Sequence, residues 1–451
     1  MVRDTSVISP LVGSPLLATF VRLAIPGIVS SLIQMSLIVV EGWFISRIGT
    51  IALAAVATVF PLVMLAFMLS AGAVGGATSG AVARALGAND LDRACSILRV
   101  SVLISVGIGG LMGLIVTYFG PTFFYWIGAR NEVLEAANAY AKVVFIGIPL
   151  IWLFNMLCSV LRGAGEMILT AVANLSVVGT YALIGLWFLP SREITSGVTD
   201  TMNIAAYILL IAYLTGIVVV LFLFRTRGQV IRFNGFRIDW SIVGSILRSG
   251  FLAGTQSTAT IIYSLIATAL LGRFGVEWLA GYGLAVRLEL VMVPVIFGIG
   301  SALIAMVGAY AGAGQRVRAI QIAWRGTIAN IVIVGAVGLI LGFNSHWWCD
   351  SLSSNGSVVG SCGTTLQIIG PFYAFFAAGL GLYFASQGLD TLLWPVAGAV
   401  IRTLIVASGL LWINFEWFNA PITILWLVAG AMVFYGIFVV LALRLGAWRL
   451  S

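Results

Sequence analysis

The stretch that decides the fold is SLIQMSLIVVEGWFISRIG, residues 31–49. It carries one acid, Glu41, near the end of an apolar run that begins at Leu17. A run of this length crosses the hydrocarbon core of a bilayer as an α-helix, which needs about 20 residues. An acid inside such a helix is costly and is retained mainly where a cavity or a partner receives it. We therefore expect a membrane-spanning helix in which Glu41 has a specific role.

The composition of the whole chain agrees with that expectation. Hydrophobic residues make up 61% of the 451 residues, charged residues make up 8%, and the mean hydropathy is +1.12. This is too little charge to cover a water-facing globule, so an integral membrane protein is expected. The apolar runs lack the alternation over about 10 residues that marks an outer-membrane β-barrel. The net charge of +8 comes from arginines at predicted helix ends, so nucleic acid is not an expected partner.

The hydropathy pattern predicts an all-α integral membrane protein with twelve transmembrane helices. The first six predicted spans cover residues 17–44, 51–80, 94–118, 134–158, 165–189 and 202–224. After a polar linker, the other six cover residues 249–272, 277–310, 320–344, 365–388, 392–414 and 419–445. No cleavable signal is predicted, because the first apolar run is longer than the core of a signal peptide and lacks a small-residue cleavage site.

The distribution of basic residues predicts the orientation, because arginine and lysine near span ends are retained on the cytoplasmic side. With the N-terminus inside, most arginines fall on that side. The exceptions on the outer side are Arg47, Arg130, Arg192 and Arg273. We expect a multi-pass protein of the bacterial inner (plasma) membrane, with both termini cytoplasmic and the lipid bilayer as its surrounding partner.

The four cysteines fall into two pairs. Cys349 and Cys362 lie in the polar loop HWWCDSLSSNGSVVGSCGTT, which the topology places outside, where oxidising conditions favour a disulfide. Cys95 and Cys158 lie in or beside spans and are interpreted as packing residues. His346 is the only histidine, so the loop lacks a second pair of zinc ligands and no metal site is predicted.

The chain repeats itself at a constant offset. SRIGTIALAAVATVF from Ser46 aligns with GRFGVEWLAGYGLAV from Gly272, LGANDLDRA from Leu86 with AGAGQRVRA from Ala311, and LRGAGE from Leu161 with SQGLDT from Ser386. The first alignment needs an offset of 226 (272 minus 46), and the other two need 225 (311 minus 86 and 386 minus 161). This predicts an N-terminal six-helix bundle (17–224), a cytoplasmic linker (225–248) and a C-terminal six-helix bundle (249–445). Parallel repeats of this kind are typical of transporters with a substrate path between the halves.

Three motifs in this order also occur in a known family. The first span, LAIPGIVSSLIQMSLIVVEGWFISRIG, has Pro26, Gln34, Glu41 and Gly49 at characteristic places. ARALGANDLDRA and AYAGAGQRVRA form a pair of loops, and GPFYAFFAAGLGLYFASQG forms the tenth span. Together they resemble the MATE (multidrug and toxic compound extrusion) transporters from about Leu17 to Leu445. The resemblance implies two six-helix bundles in a V and secondary-active efflux of organic substrates in exchange for H+ or Na+.

Two departures from the MATE pattern bear on the coupling ion. The family usually has Asp where this chain has Glu41. Many members carry Asn followed four residues later by Asp in the fifth span, whereas ANLSVVGTYA has Asn174 and then Val178. Sodium requires several oxygen ligands, while a proton requires one titratable group. H+ is therefore the expected coupling ion and Na+ the alternative, and no other cofactor is expected.

Glu41 and Glu289 are the two candidate ion-coupling residues. Glu41 lies six residues from Arg47, so the alternative interpretation is a solvated acid at the outer interface. Glu289 follows Arg287 by two residues, a spacing that does not bring two helical side chains face to face. Glu289 is therefore either a member of a structural ion pair or a second coupling site in the C-terminal half.

Other polar residues inside the spans are candidates for lining a cavity for substrate, although the amides would also serve as bridges between helices. They are Gln34, Asn155, Asn174 and Arg287. Lys142 and Arg402 are expected to extend towards the membrane surface or to pair within their bundles.

These features predict an antiporter that exports amphipathic, cationic organic compounds in exchange for H+ by alternating access. The expected partners are small organic substrates, and a monomer is expected. The alternatives are a Na+-coupled antiporter, a flippase for a lipid-linked precursor, and a membrane receptor or scaffold. A flippase would need several basic residues for phosphate, and the spans offer only Lys142, Arg287 and Arg402. An enzyme is not expected, because the spans contain no candidate catalytic residues, neither a nucleophile with its base nor a metal cluster.

Overall fold

The computed structural model describes residues 11–13, 15–189, 197–226, 238–412 and 420–448. These residues form α-helices joined by short turns, and no β-strand occurs among them. In the first half the helices are α1 (Leu16–Ile48), α2 (Thr50–Phe67), a π-helical turn (Met68–Ala73), α3 (Val74–Gly87), α4 (Leu91–Trp126), α5 (Asn131–Ile146), α6 (Ile148–Gly163), α7 (Met167–Phe188) and α8 (Val198–Thr226).

The second half continues the same pattern. Its helices are α9 (Trp240–Gly272), α10 (Val276–Gly312), α11 (Arg316–Phe343), α12 (Ser345–Leu352), α13 (Gly356–Ile369), a 3₁₀ turn (Gly370–Phe372), α14 (Tyr373–Leu389), α15 (Leu393–Ser408), α16 (Pro421–Ala442) and a π-helical turn (Leu443–Ala447). The predicted all-α membrane fold is confirmed.

Most of the helices are long and apolar enough to cross a membrane. Within the described ranges nine pass this test, and the pair α5 and α6, bent by 50°, counts as a tenth. The two remaining predicted spans coincide with α9, which has 33 residues, and with α15, which has 16. Each of the twelve spans predicted from hydropathy therefore corresponds to a helix among the described residues. Residues 413, 414 and 419 of the last two predicted spans lie outside the described residues.

The turns that join equivalent helices have the same backbone conformation in both halves. Each aligned motif contains a residue with positive φ at the matching position. The pairs are Gly49 and Gly275 (139° and 110°), Asn89 and Gly314 (58° and 75°), and Gly165 and Asp390 (81° and 59°). Such angles are uncommon outside glycine, so their recurrence at the offset of the sequence repeat means that both halves fold through the same local turns.

The chain divides into two compact units. Unit 2 comprises Val29–Gly250, and unit 1 comprises Met1–Ile28 with Phe251–Ser451. Their boundaries fall inside α1 and α9, so the first turns of α1 belong to the unit built by the C-terminal helices. Within unit 1, Gly27 lies so close to Gly298 that a Cβ added at Gly27 would be 2.8 Å from the carbonyl oxygen of Gly298.

Residues 227–237 of the predicted linker (225–248) lie outside the described residues. From Trp240 onward the remainder of the linker is the first part of α9. Asp239 precedes this helix and accepts a hydrogen bond from the backbone N–H of Ser241 at 2.9 Å. Hydrogen bonds from Ser241 lower the pKa of this exposed carboxyl.

The segment expected to be a polar outer loop is mostly helical. Residues 345–352 form α12, and α13 begins at Gly356, where the side chain of Asn355 accepts a hydrogen bond from the backbone N–H of Ser357 at 3.0 Å. This cap explains why a polar stretch starts a helix. A disulfide joins Cys349 in α12 to Cys362 in α13, with Cα atoms 6.0 Å apart.

Candidate functional site

Glu41 lies in a cluster of tyrosines in unit 2. It is partly buried on α1, and its carboxylate accepts a hydrogen bond from the hydroxyl of Tyr140 on α5. Tyr181 on α7 and Tyr213 on α8 also interact electrostatically with Glu41. Four helices thus converge on the Glu41 carboxyl group. The other three side chains of this cluster are tyrosines, which carry no formal charge.

The neighbours of Glu41 on α1 separate it from the C-terminal end of the helix. The guanidinium carbon of Arg47 lies 4.4 Å from the centre of the Trp43 ring, so this arginine stacks on its own helix. Phe44 is 2% exposed and packs edge-on against Tyr181, with ring centres 6.1 Å apart. The apolar packing of Phe44 therefore lies between the Arg47 end of α1 and the tyrosine cluster.

A second polar group in unit 2 begins at Gln34, two helical turns before Glu41 and on the same face of α1. The side-chain amide of Gln34 donates a hydrogen bond to Asn155 Oδ1 on α6 at 3.2 Å. Asn155, which is fully buried, donates in turn to Ser70 Oγ at 2.9 Å. Ser70 belongs to the π-helical turn Met68–Ala73, and such turns are frequent at functional sites.

The same hydrogen-bonded chain continues along α6. Ser159 Oγ donates to the carbonyl oxygen of Asn155 at 2.7 Å. Arg162 donates to Ser159 Oγ at 2.7 Å and to the carbonyl oxygen of Ala71 at 3.4 Å. The result is a continuous polar track from Gln34 to Arg162, which is 5% exposed. Polar groups so deep in an apolar bundle are satisfied by one another.

Asn174 has a different role from the other candidate amides. It is 2% exposed on α7, and its side-chain nitrogen donates to Ser30 Oγ at 3.0 Å and to the Ser30 carbonyl oxygen at 3.3 Å. These bonds hold α7 against α1. Val178, one turn further along α7, continues the face that Asn174 and Tyr181 present to α1.

Unit 1 contains its own carboxyl and tyrosine cluster. Glu289 on α10 has the hydroxyl of Tyr373, on α14, as a hydrogen-bond partner. Tyr263 on α9 and Tyr282 on α10 also interact electrostatically with Glu289. Arg287, two residues before Glu289 on α10, is exposed.

Arg402 on α15 lies beside this second cluster. It is 0% exposed, and it interacts electrostatically with Glu289. Its guanidinium carbon lies 4.3 Å from the ring centre of Tyr263, 5.0 Å from that of Tyr435 and 5.4 Å from that of Phe376. Its Nη2 donates to Thr260 Oγ1 at 3.2 Å.

The sequence directed attention to the acids and amides but not to their partners. Tyr140, Tyr373 and Ser70 were not among the candidates, because tyrosine and serine are unremarkable in apolar spans. The usable signal was that each carries a hydroxyl group inside a predicted span. No group of three or more His, Cys, Asp and Glu side chains that would hold a metal ion occurs within the described ranges.

Comparison with known proteins gives the family. The sequence profile of the MatE family matches residues 26–188 and 253–412, which together are more than half of the chain. The chain belongs to the MATE family. Each matched segment covers most of one repeat, and the family consists of transporters, so the chain is a MATE transporter with several membrane spans.

Relatives of this MATE protein include exporters of drugs. It is 23% identical to the multidrug export protein MepA of Staphylococcus saprophyticus, with 86% of each chain covered. It is 22% identical to a probable multidrug resistance protein, NorM, of Thermotoga maritima, covering 83% of this chain and 81% of that one. It is also 23% identical to a FAD transporter of Shewanella oneidensis over 69% of each chain.

Solved structures of the family share the fold. A crystal structure of MATE in the bent conformation superimposes with a TM-score of 0.89 at 20% identity, with 98% of each chain covered. An outward-facing multidrug resistance MATE transporter gives a TM-score of 0.85 at 23% identity, with 97% of each covered. At these identities the likeness establishes the fold.

Proposed function

We propose that this MATE protein is a proton-coupled antiporter of the bacterial inner membrane that exports amphipathic organic cations by alternating access, with both termini cytoplasmic. The observation that carries the proposal is the hydrogen bond from Tyr140 to Glu41 within the tyrosine cluster of unit 2. A carboxyl group held by a neutral donor inside a bundle is suited to bind and release a proton. A solvated surface acid would have no such partner.

The choice of H+ over Na+ rests on the number of oxygen ligands around Glu41. Sodium requires several oxygens in a defined shell. On α7 the position one turn after Asn174 is occupied by Val178, whose side chain offers no oxygen. Among the described residues, the side-chain oxygens found to interact with Glu41 are the hydroxyls of Tyr140, Tyr181 and Tyr213, which suit one proton on one carboxyl group better than a metal ion.

The basic residues argue for a cationic rather than an anionic cargo. A flippase for a phosphate-bearing precursor would need arginines and lysines together in a cavity. Lys142 and Arg287 are exposed on their helices, and Arg402 is enclosed by three rings. Several drug exporters among the relatives are consistent with a small organic substrate.

The decisive test is pH-driven uptake of a fluorescent monovalent cation into inverted membrane vesicles. Glu41→Gln should fold and bind the cation yet lose pH-driven uptake, because the amide cannot exchange a proton. Glu41→Asp should retain part of the activity. Glu135→Gln is the matched control, since Glu135 is an exposed acid on α5. Wild-type rates in Glu41→Gln would defeat the proposal.

The same vesicles distinguish the alternatives. Uptake driven by a sodium gradient and not by a pH gradient would identify Na+ coupling. Movement of a lipid-linked anion without cation transport would identify a flippase. Ligand binding without any transport in proteoliposomes would identify a receptor or scaffold.

Charge balance gives a quantitative test of Glu41 as the sole coupling group. Exchange of one proton for one monovalent cation moves no net charge, so the driving force is the pH gradient, about 1.4 kcal/mol per pH unit. A membrane potential imposed at zero pH gradient should then leave the rate unchanged. A strong response to the potential would mean that a second group, with Glu289 as the candidate, also carries a proton.

A further inference from the structure

The surroundings of Arg402 are unusual for a buried arginine. A guanidinium group in a protein interior is normally held by a carboxylate through two parallel hydrogen bonds. Here Nε and Nη1 have no hydrogen-bond partner among the described residues, although Glu289 lies in the same unit within electrostatic range. Within the same ranges, the only conventional hydrogen bond of the side chain is the one from Nη2 to Thr260.

The charge of Arg402 is met by aromatic faces instead. Tyr263, Phe376 and Tyr435 come from α9, α14 and α16, and all three ring centres lie within about 6 Å of the guanidinium carbon, where cation–π attraction is effective. We call these three residues the aromatic box. Rings from three different helices around one cation, with a carboxylate nearby, form the arrangement by which proteins recognise quaternary ammonium and guanidinium groups.

The box is fixed before any ligand enters. Gln256 donates a hydrogen bond to the hydroxyl of Tyr435 at 3.0 Å. The Tyr435 ring lies against Gly379 on α14, where any Cβ would collide with it. Thr403, next to Arg402, donates to the carbonyl oxygen of Ala259 at 2.9 Å and so holds α15 against α9.

Further polar atoms around the box lack partners. The hydroxyl of Tyr263, whose side chain is 4% exposed, and Oε1 of Gln256, 3% exposed, have no hydrogen-bond partner among the described residues. Buried atoms of this kind are rare in native proteins and call for an explanation. An occupant with its own polar groups would satisfy them, whereas Arg402 does not.

We propose that Tyr263, Phe376 and Tyr435 form a binding site for a quaternary ammonium or guanidinium group, and that the side chain of Arg402 is its built-in occupant, which an organic cation must displace. The inference extends the proposed function by naming a recognition site for the cationic group of a substrate. Its test measures binding to purified protein, so it is independent of transport and of the coupling ion.

The experiment compares two ligands of the same shape. Choline carries a trimethylammonium group, and 3,3-dimethylbutan-1-ol is its neutral counterpart. Equilibrium binding of each is measured to detergent-purified wild type and to Arg402→Ala. The variant should bind choline about tenfold more tightly than the neutral alcohol, since cation–π attraction requires the charge. Wild type should bind choline more weakly than the variant, because Arg402 fills the box.

Two further variants assign the binding to the box. Adding Phe376→Leu to Arg402→Ala keeps most of the volume and removes one ring, so choline should bind several-fold more weakly. Arg162→Ala is the matched control, because Arg162 is a buried arginine of unit 2 held by Ser159 and Ala71 through hydrogen bonds. Its vacated space should show no preference for choline, which has no N–H group to donate.

Equal binding of choline and the alcohol to Arg402→Ala, or equal choline binding by wild type and variant, overturns the proposal. Arg402→Gln, which keeps a donor for Thr260, is measured in parallel. If Arg402→Ala and Arg402→Gln fold only when choline is present, the site is supported. If neither folds with or without choline, Arg402 is a structural residue and the proposal fails.

If choline binds the Arg402→Ala box while vesicles show no cation export, the inference stands and the proposed function fails. If vesicles show cation export while Arg402→Ala binds choline and the neutral alcohol equally, the proposed function stands and the inference fails.

Discussion

The hydroxyl of Tyr140 donates a hydrogen bond to the carboxylate of Glu41, although 99 residues of sequence separate them. The bond joins α1 to α5 within unit 2 and gives the carboxyl group a neutral partner. Arg47, which is much nearer in sequence, stacks on Trp43. The acid therefore lies in a polar environment that the fold builds for it.

Tyr140→Phe removes this donor and keeps the ring. We expect the variant to fold and to export a monovalent cation roughly tenfold more slowly under a pH gradient, because a hydrogen bond to a charged group contributes about 1.5–3 kcal/mol. The measurement is uptake into inverted vesicles at several pH values. Tyr207→Phe, an exposed tyrosine on α8, is the control and should match wild type. Unchanged rates for Tyr140→Phe at every pH would contradict the role given to the bond.

Val178→Asp places a second carboxylate on the face of α7 that carries Asn174 and Tyr181. Two acids on the facing sides of α1 and α7 would attract a cation, so export by the variant should become faster in Na+ than in K+. Wild type should export the cation at the same rate in both salts. Val178→Asn has the same shape without the charge and should resemble wild type. If Val178→Asp exports equally fast in Na+ and in K+, the absence of an acid at position 178 does not determine the coupling ion.

Gly298→Ala tests the close contact between α10 and the start of α1. An added Cβ would collide with the backbone nitrogen and Cα of Ile28, which cannot move aside as a flexible side chain can. We expect a loss of about 1–3 kcal/mol in stability, read from thermal unfolding in detergent. Gly283→Ala on the same helix meets nothing within 4 Å and should be neutral or slightly stabilising. Equal melting temperatures for the two variants would refute the contact.

Removing the disulfide should weaken the packing of α12 against α13 in unit 1. The bridge closes a loop with a sequence separation of 13, for which chain entropy predicts about 3 kcal/mol. Wild type should melt at lower temperature after reduction, while Cys349→Ser/Cys362→Ser should not respond. A wild-type melting temperature that does not change on reduction would contradict the prediction.

The helices and the repeat were predictable because their causes are local. Long apolar runs determine the spans, and the turns at Gly49 and Gly275 need residues that tolerate positive φ, which the sequence shows directly. The helical structure of residues 345–364 was missed, because the cap at Asn355 is a single side chain in a polar stretch. The π-helical turn at Met68–Ala73 was also missed, since it depends on packing against α6.

The partners of the charged residues were not predictable. Glu41 was identified as a candidate from its place in an apolar run, but nothing in the sequence connects it with Tyr140. Arg402 was expected to extend to the membrane surface or to pair, and the structure surrounds it with rings from three helices while it interacts electrostatically with Glu289. Such contacts arise only when distant helices pack together.

The unit boundary inside α1 affects how the chain can be made. Unit 2, Val29–Gly250, is continuous and can assemble once Gly250 has left the ribosome. The first turns of α1 belong to unit 1, and Gly27 contacts Gly298, which is synthesised much later. At about 5–20 residues per second, the interval between these two glycines is roughly 15 to 50 seconds. The first turns of α1 are thus made long before the part of α10 that they contact in the folded protein.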